Sequence, residues 1–112
     1  MGLPITVQDY KRVSVMAVSG RVDSATAPDL ENALKKLVET EKTQIVLDLK
    51  SVEYMSSAGL RAMVSTLKAV KRLNGDLRLA SPSPRVEEVL RLAGLTSIFS
   101  IFASRDEAVA SF

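Results

Sequence analysis

The sequence predicts an α/β fold, a mixed and mostly parallel sheet of four to five strands with an initial β-hairpin and about four helices. Three observations carry this. Two β-branched, apolar stretches near the start, Ile5 to Gln8 and Val13 to Val18, flank the polar Asp9-Tyr10-Lys11-Arg12 and read as a hairpin. From Thr26 onward, helical periodicity alternates with short strand-like runs. One of those runs, Ile45-Val46-Leu47-Asp48-Leu49, is the near-continuous apolar segment expected of a strand covered on both faces.

The elements follow in order. Gly20-Arg21-Val22-Asp23 leaves the second strand. Thr26 can cap a helix, Pro28 suits its first turn, and Asp29 faces the positive end of its dipole. Leu30, Ala33, Leu34, Leu37 and Val38 then recur at helical spacing. After the strand within 43–50, Ser56-Ser57-Ala58-Gly59-Leu60 opens a second helix that runs to about Leu73, with Leu60, Met63, Val64, Leu67 and Val70 as its apolar line. Asn74-Gly75 stops it, either residue being suited to a left-handed cap. Leu77 to Ala80 is a strand, and Ser83-Pro84 opens a third helix ended by Gly94. Ile98 to Phe102 reads as a short last strand, and Ser104-Arg105-Asp106-Glu107 as the cap of a final helix.

Composition bounds the function. With 112 residues, 46% hydrophobic and 25% charged, residues 1–112 form one expected domain with a core of its own. There is no cysteine and no histidine. Disulfides, thiolate chemistry and a histidine-based triad are excluded, and a zinc site would need carboxylates alone. We therefore expect no catalytic residues, no metal site and no cofactor. Fifteen basic and 13 acidic residues are interspersed, which does not make the one-sided basic patch of a nucleic-acid binder. No stretch has the length and apolarity of a membrane span or signal core, so we expect a cytoplasmic protein without nucleic-acid or membrane partners.

Topology directs attention to two loops. In right-handed βαβ units the carboxyl ends of the parallel strands lie along one edge, where such folds place ligands. The loop at Gly20 to Thr26 and the loop at Ser51 to Ser57 both leave strands on that edge. Asp23 and Ser56-Ser57 are expected to be neighbours in space.

These residues also carry a family likeness. Asp48-Leu49 on a buried strand, followed by Tyr54-Met55-Ser56-Ser57-Ala58-Gly59-Leu60, resembles the signature of the STAS domain family. Gly20-Arg21-Val22-Asp23 with Thr26-Ala27, and later Ser83-Pro84-x-Val86 with Leu92-Ala93-Gly94-Leu95, are similar to the family's other motifs. The likeness covers nearly the whole chain and implies a stand-alone bacterial anti-sigma factor antagonist. Such a regulator binds an anti-sigma factor that is also a serine kinase, is released when that kinase phosphorylates one serine, and is reset by a PP2C-type phosphatase. Matching the motif places the serine at Ser57. Ser56 stands where many members have Asp, which makes it a second candidate acceptor. A non-switching STAS scaffold or interaction module is the alternative.

Each candidate also has a plainer reading. Ser56 and Ser57 suit helix capping, which local sequence favours and which is compatible with regulation. Phosphate at a helix N-terminus would meet free N–H groups and the positive dipole end, so the fold should tolerate it. Asp23 either binds its own turn or orients the serine and meets the kinase. Arg61, Ser65, Lys68 and Arg72 share one helix face, which is either simply solvated or, beside Ser57, the partner surface. Ala58, Ala62 and Ala69 would let a partner approach closely, and Gly59 would leave the backbone beside Ser57 uncrowded. Met55 and Met63 are expected in the core.

Overall fold

The computed structural model describes residues 2–112. Its elements are β1 (Ile5–Tyr10), β2 (Val13–Val22), α1 (Ala27–Glu39), β3 (Gln44–Met55), α2 (Ser57–Arg72), β4 (Asp76–Ala80), α3 (Pro84–Leu92), β5 (Ile101–Phe102) and α4 (Arg105–Ala110). The strands form one five-stranded sheet in the order β1-β2-β3-β4-β5. The first pair is antiparallel and the others are parallel. The expected mixed sheet, its opening hairpin and its four helices are all present.

Alternation along the strands sorts side chains between two unequal layers. Met16, Val18 and Val22 of β2, Ile45, Leu47 and Leu49 of β3, and Leu77 and Leu79 of β4 join Leu30, Leu34, Met63, Leu67, Val86 and Leu90 from α1, α2 and α3 in the main core. Met55 and Met63 are buried in it, as expected. The opposite face carries Val13, Val15, Val46 and Ala80, covered by Ala108 and Val109 of α4 with Phe102 and Phe112.

Three boundaries differ from the sequence reading. β1 reaches Tyr10 and the turn shrinks to Lys11-Arg12. β2 and β3 continue past the expected ends at Val18 and Lys50, because Ser19 to Val22 pair with Ser51 to Met55. The ladder slips between Ala17 and Ser19 and again at Gly20/Arg21. Such slips let a polar Ser-Gly stretch that reads as a turn stay within a strand. The last strand is only Ile101–Phe102, since 95–99 turn on themselves through bonds from the Ile98 and Phe99 N–H groups to the Leu95 carbonyl.

The extended β2–β3 ladder sets the position of α2. Val22 pairs with Met55 at its tip, and the Ser56 N–H donates to the Val22 carbonyl at 2.8 Å. The residues that follow each strand, Asp23 and Ser56, therefore start from the same edge, as the parallel topology requires.

Candidate functional site

The strand-loop-helix junction assigns different work to its two adjacent serines. Ser56 has extended backbone geometry at the N-cap of α2, and its Oγ accepts the Gly59 N–H at 3.2 Å. It is the structural cap. Ser57 is the first residue of the helix and is exposed, and its hydroxyl has no hydrogen bond among the described residues. The capping reading is correct for Ser56, and it leaves Ser57 without a structural task.

Gly59 fixes the seat of this helix end. A Cβ there would lie 2.5 Å from the Met55 sulfur and 2.7 Å from a Val22 methyl carbon. The glycine lets the first turn of α2 settle onto the strand tips, and it is buried. This corrects the expectation that Gly59 keeps the outside of the loop uncrowded: its smallness serves internal packing.

Asp23 binds its own turn. Its Oδ1 accepts the N–H groups of Ala25 and Thr26, both at 3.0 Å, and the Thr26 hydroxyl at 3.2 Å. The Thr26 N–H, followed by that of Ala25, holds this carboxyl below the usual range against the opposing effect of desolvation. Thr26 occupies the N-cap of α1 but makes no side-chain cap bond there. Its hydroxyl instead accepts the Asp23 N–H at 2.9 Å and donates to the Arg21 carbonyl at 2.8 Å. The expected side-chain cap by Thr26 is absent, and the Ala27 N–H is met instead by the Asp23 backbone carbonyl at 2.8 Å. Asp23 shares the edge with Ser57 but forms no hydrogen bond to it, so in this structure it shapes its own loop and does not orient the serine.

A groove of about 800 Å³ runs beside Ser57. From α2 it takes Ser57, Ala58, Arg61, Ser65 and Lys68 with the buried Ala62, and it also reaches Leu60 and Val64, which the helical spacing assigns to the core line. Among the expected contact residues, Asp23 and Ser56 lie outside this lining. Ala69 also lies outside it, and Arg72 is exposed farther along the helix. The structure adds Ser24, Pro28 and Glu31 from the α1 side, and Ala93 and Leu95 from the segment after α3. Right-handed crossover placement of α1 beside α2 was the signal for the first group. The second group lay in the Leu92-Ala93-Gly94-Leu95 motif, whose exposure the sequence did not disclose.

The groove is apolar along its length with isolated charges. Among the described residues, none of Glu31, Arg61 and Lys68 has an ion-pair partner. An alanine-lined helix face with unpaired basic groups can receive an apolar surface that carries acid, and a phosphate on Ser57 would stand at its entrance.

The family model for the STAS domain matches residues 4–108. The chain belongs to the STAS family. Among known STAS proteins it is similar to BtrV of Bordetella bronchiseptica, 34% identical over 98% of this chain and 95% of that protein. The crystal structure of an anti-sigma factor antagonist from Mycobacterium paratuberculosis superposes with a TM-score of 0.89 at 30% identity, covering 97% of this chain and 92% of that one. The Bacillus cell-fate determinant SpoIIAA in its phosphorylated form shares the fold, with a TM-score of 0.76 at 18% identity over 96% of this chain and 98% of that one. Among the described residues, no helix is long and apolar enough to cross a membrane.

Proposed function

We propose that this STAS protein is an anti-sigma factor antagonist, a partner-switching regulator controlled at Ser57. In its unphosphorylated form it binds an anti-sigma factor that is also a serine kinase, through the α2 groove. The kinase transfers the γ-phosphoryl group of ATP to the Ser57 oxygen, the hydroxyl proton leaves, and ADP is the second product. A PP2C-type phosphatase hydrolyses the ester and restores binding.

The observation that carries this reading is the exposed Ser57 hydroxyl, free of internal bonds, at the mouth of the groove and beside a cap that does not need it. An acceptor hydroxyl must be reachable by another protein's active site, and Ser57 is. Ser56 is half-buried and engaged with Gly59, which makes it the poorer acceptor. After transfer, a phosphoserine carries about −1.5 to −2 charges at neutral pH. At the helix N-terminus that charge is compatible with the fold. In the interface it adds bulk and repels the acidic partner surface that Arg61 and Lys68 favour. The switch is thus local exclusion without refolding.

The test uses the cognate kinase, defined by its transfer of labelled phosphate to this chain, with mass spectrometry to locate the phosphate. Ser57→Ala should accept none, keep its affinity for the kinase in titration calorimetry and melt within about 1 kcal/mol of the wild type. Fully phosphorylated protein should bind at least tenfold more weakly. Equal affinity of the two forms would refute the mechanism, and phosphate on Ser56 would refute the choice of serine.

A further inference from the structure

We propose that the partner's footprint extends beyond the α2 face onto an apolar knob at the end of α3, with Leu92 as its anchor. This rests on the reading that the groove is the kinase-binding surface, and it assigns that surface a second, phosphate-independent half.

Among the described residues Leu92, at 72%, is the most exposed large aliphatic side chain, ahead of Leu73 at 53% and Ile98 at 47%. The backbone explains why Leu92 stands out. α3 ends in a Schellman motif: the Gly94 N–H bonds to the Arg91 carbonyl at 3.0 Å and the Leu95 N–H to the Leu90 carbonyl at 2.9 Å. Gly94 takes the required left-handed conformation, φ +74°. The motif folds Leu95 back toward the core, where it packs half-buried, and leaves Leu92 on the outer side of the last turn. Leu92 has no packing role that would account for a leucine at such exposure.

The knob is continuous with the groove. Ala93 and Leu95, its neighbours on either side of Gly94, line the same groove as Ser57, Arg61 and Lys68. Charge does not bar an apolar contact at this point, because Arg91 is already paired with Glu88 one turn back. The occupant that fits both halves is the kinase, presenting an apolar side chain to Leu92 and a carboxylate to Arg61 and Lys68. The two halves lie on different elements. α3 follows β4, whose carboxyl end lies on the edge that carries Ser57, and its nine residues span about 13 Å, so Leu92 stands at the far end of that helix from the β4–α3 loop. Phosphate on Ser57 acts at one end only. A few residues that become fully desolvated on binding commonly carry most of an interface's affinity, with charged groups tuning encounter.

The experiment is a double-mutant cycle by calorimetry against the cognate serine kinase with ADP bound, using Leu92→Asp, Ser57→Asp and the double variant. Leu92→Asp should weaken binding at least tenfold, by a factor that is the same with Ser or Asp at position 57. Its melting temperature should fall by a few degrees at most, since a carboxylate in the last turn of α3 opposes the helix dipole, and Leu92→Ala should lose an intermediate share of affinity. Affinity within twofold of the wild type for Leu92→Asp overturns the proposal. So does a wild-type dimer, seen by sedimentation, that Leu92→Asp dissociates while kinase affinity stays unchanged, since the knob would then serve a second copy of the chain. Failure to find phosphate on Ser57 would count against the switch, whereas the Leu92 effect is read from binding alone.

Discussion

The two faces of the sheet treat their charges in opposite ways. On the α4 face, Asp48 is 6% exposed on the central strand, and its Oδ2 accepts Arg105 Nε at 2.9 Å and Nη2 at 2.8 Å. Its Oδ1 accepts the Lys50 N–H at 3.0 Å, and Arg105 Nη1 reaches Gln8 on β1 at 3.0 Å. Farther along this face Arg78 binds Asp76 and the Ser111 carbonyl and lies over the Phe112 ring. On the helical face, the charges beside the groove have no such partners. The first face is closed on itself, and its polar groups hold α4 across the strands. The second has an aliphatic core beneath a groove whose charges, Glu31, Arg61 and Lys68, have no ion-pair partner among the described residues. That difference separates a side whose charges serve the fold from the side to which the proposed function assigns the partner.

Asp48→Ala tests the closed face and has the largest expected effect. Breaking a fully buried pair by removing one partner costs about 3–5 kcal/mol. The Arg105 side chain is 32% exposed, so water recovers part of this and we expect a loss of about 2 kcal/mol. For a domain of this size that lowers the melting temperature by roughly 10 °C. Kinase affinity, measured where the variant is fully folded, should stay within threefold. A large loss of affinity at unchanged stability would mean that the α4 face also meets the partner.

The same contrast shows what could be read from the chain. The α2 face was partly legible because helical spacing fixes which residues share a side: of Arg61, Ser65, Lys68 and Arg72 the first three line the groove, as do Ala58 and Ala62 but not Ala69. The shared edge of Asp23 and Ser57 followed from parallel connections alone. Three things were hidden. The length of β2 depends on ladder slips that a polar Ser19-Gly20 disguises. The partner of Asp48 is Arg105, 57 residues away, and no local pattern pairs them. The exposure of Leu92 depends on where the Schellman turn sends the chain, although Gly94 itself marked the helix end. In each case the missing information is tertiary.

Arg61→Glu tests the open face, with a smaller effect. It reverses one charge on an exposed helix position, so stability should change by no more than about 0.5 kcal/mol. Against an acidic partner surface it should weaken binding about tenfold at low salt, mainly through a slower on-rate. The loss should shrink as ionic strength rises, because exposed charges are screened within about 8–10 Å near physiological salt. Surface plasmon resonance at two salt concentrations separates the two rates. Unchanged kinetics would show that the unpaired charges of the groove are simply solvated.

The smallest expected effect sharpens the division between the adjacent serines. Ser56→Asp exchanges one good N-cap for another, so the bond to the Gly59 N–H should persist. A carboxylate near the positive end of α2 adds about 0.3–1 kcal/mol at low ionic strength, and α2 has no acidic residue in its first turn to compete with it. Such a cap depresses the folded-state pKa of the new Asp below its unfolded value of about 3.9. The gain should therefore be complete above about pH 5 and disappear as the pH falls through the folded pKa. Thermal melts at pH 7 and pH 3 measure this directly. Because Ser56 lies outside the groove lining, kinase affinity should change less than threefold and phosphate should still arrive on Ser57. Should Ser56→Asp weaken binding as strongly as Ser57→Asp, the cap itself would be part of the interface, and one residue would be serving both fold and partner.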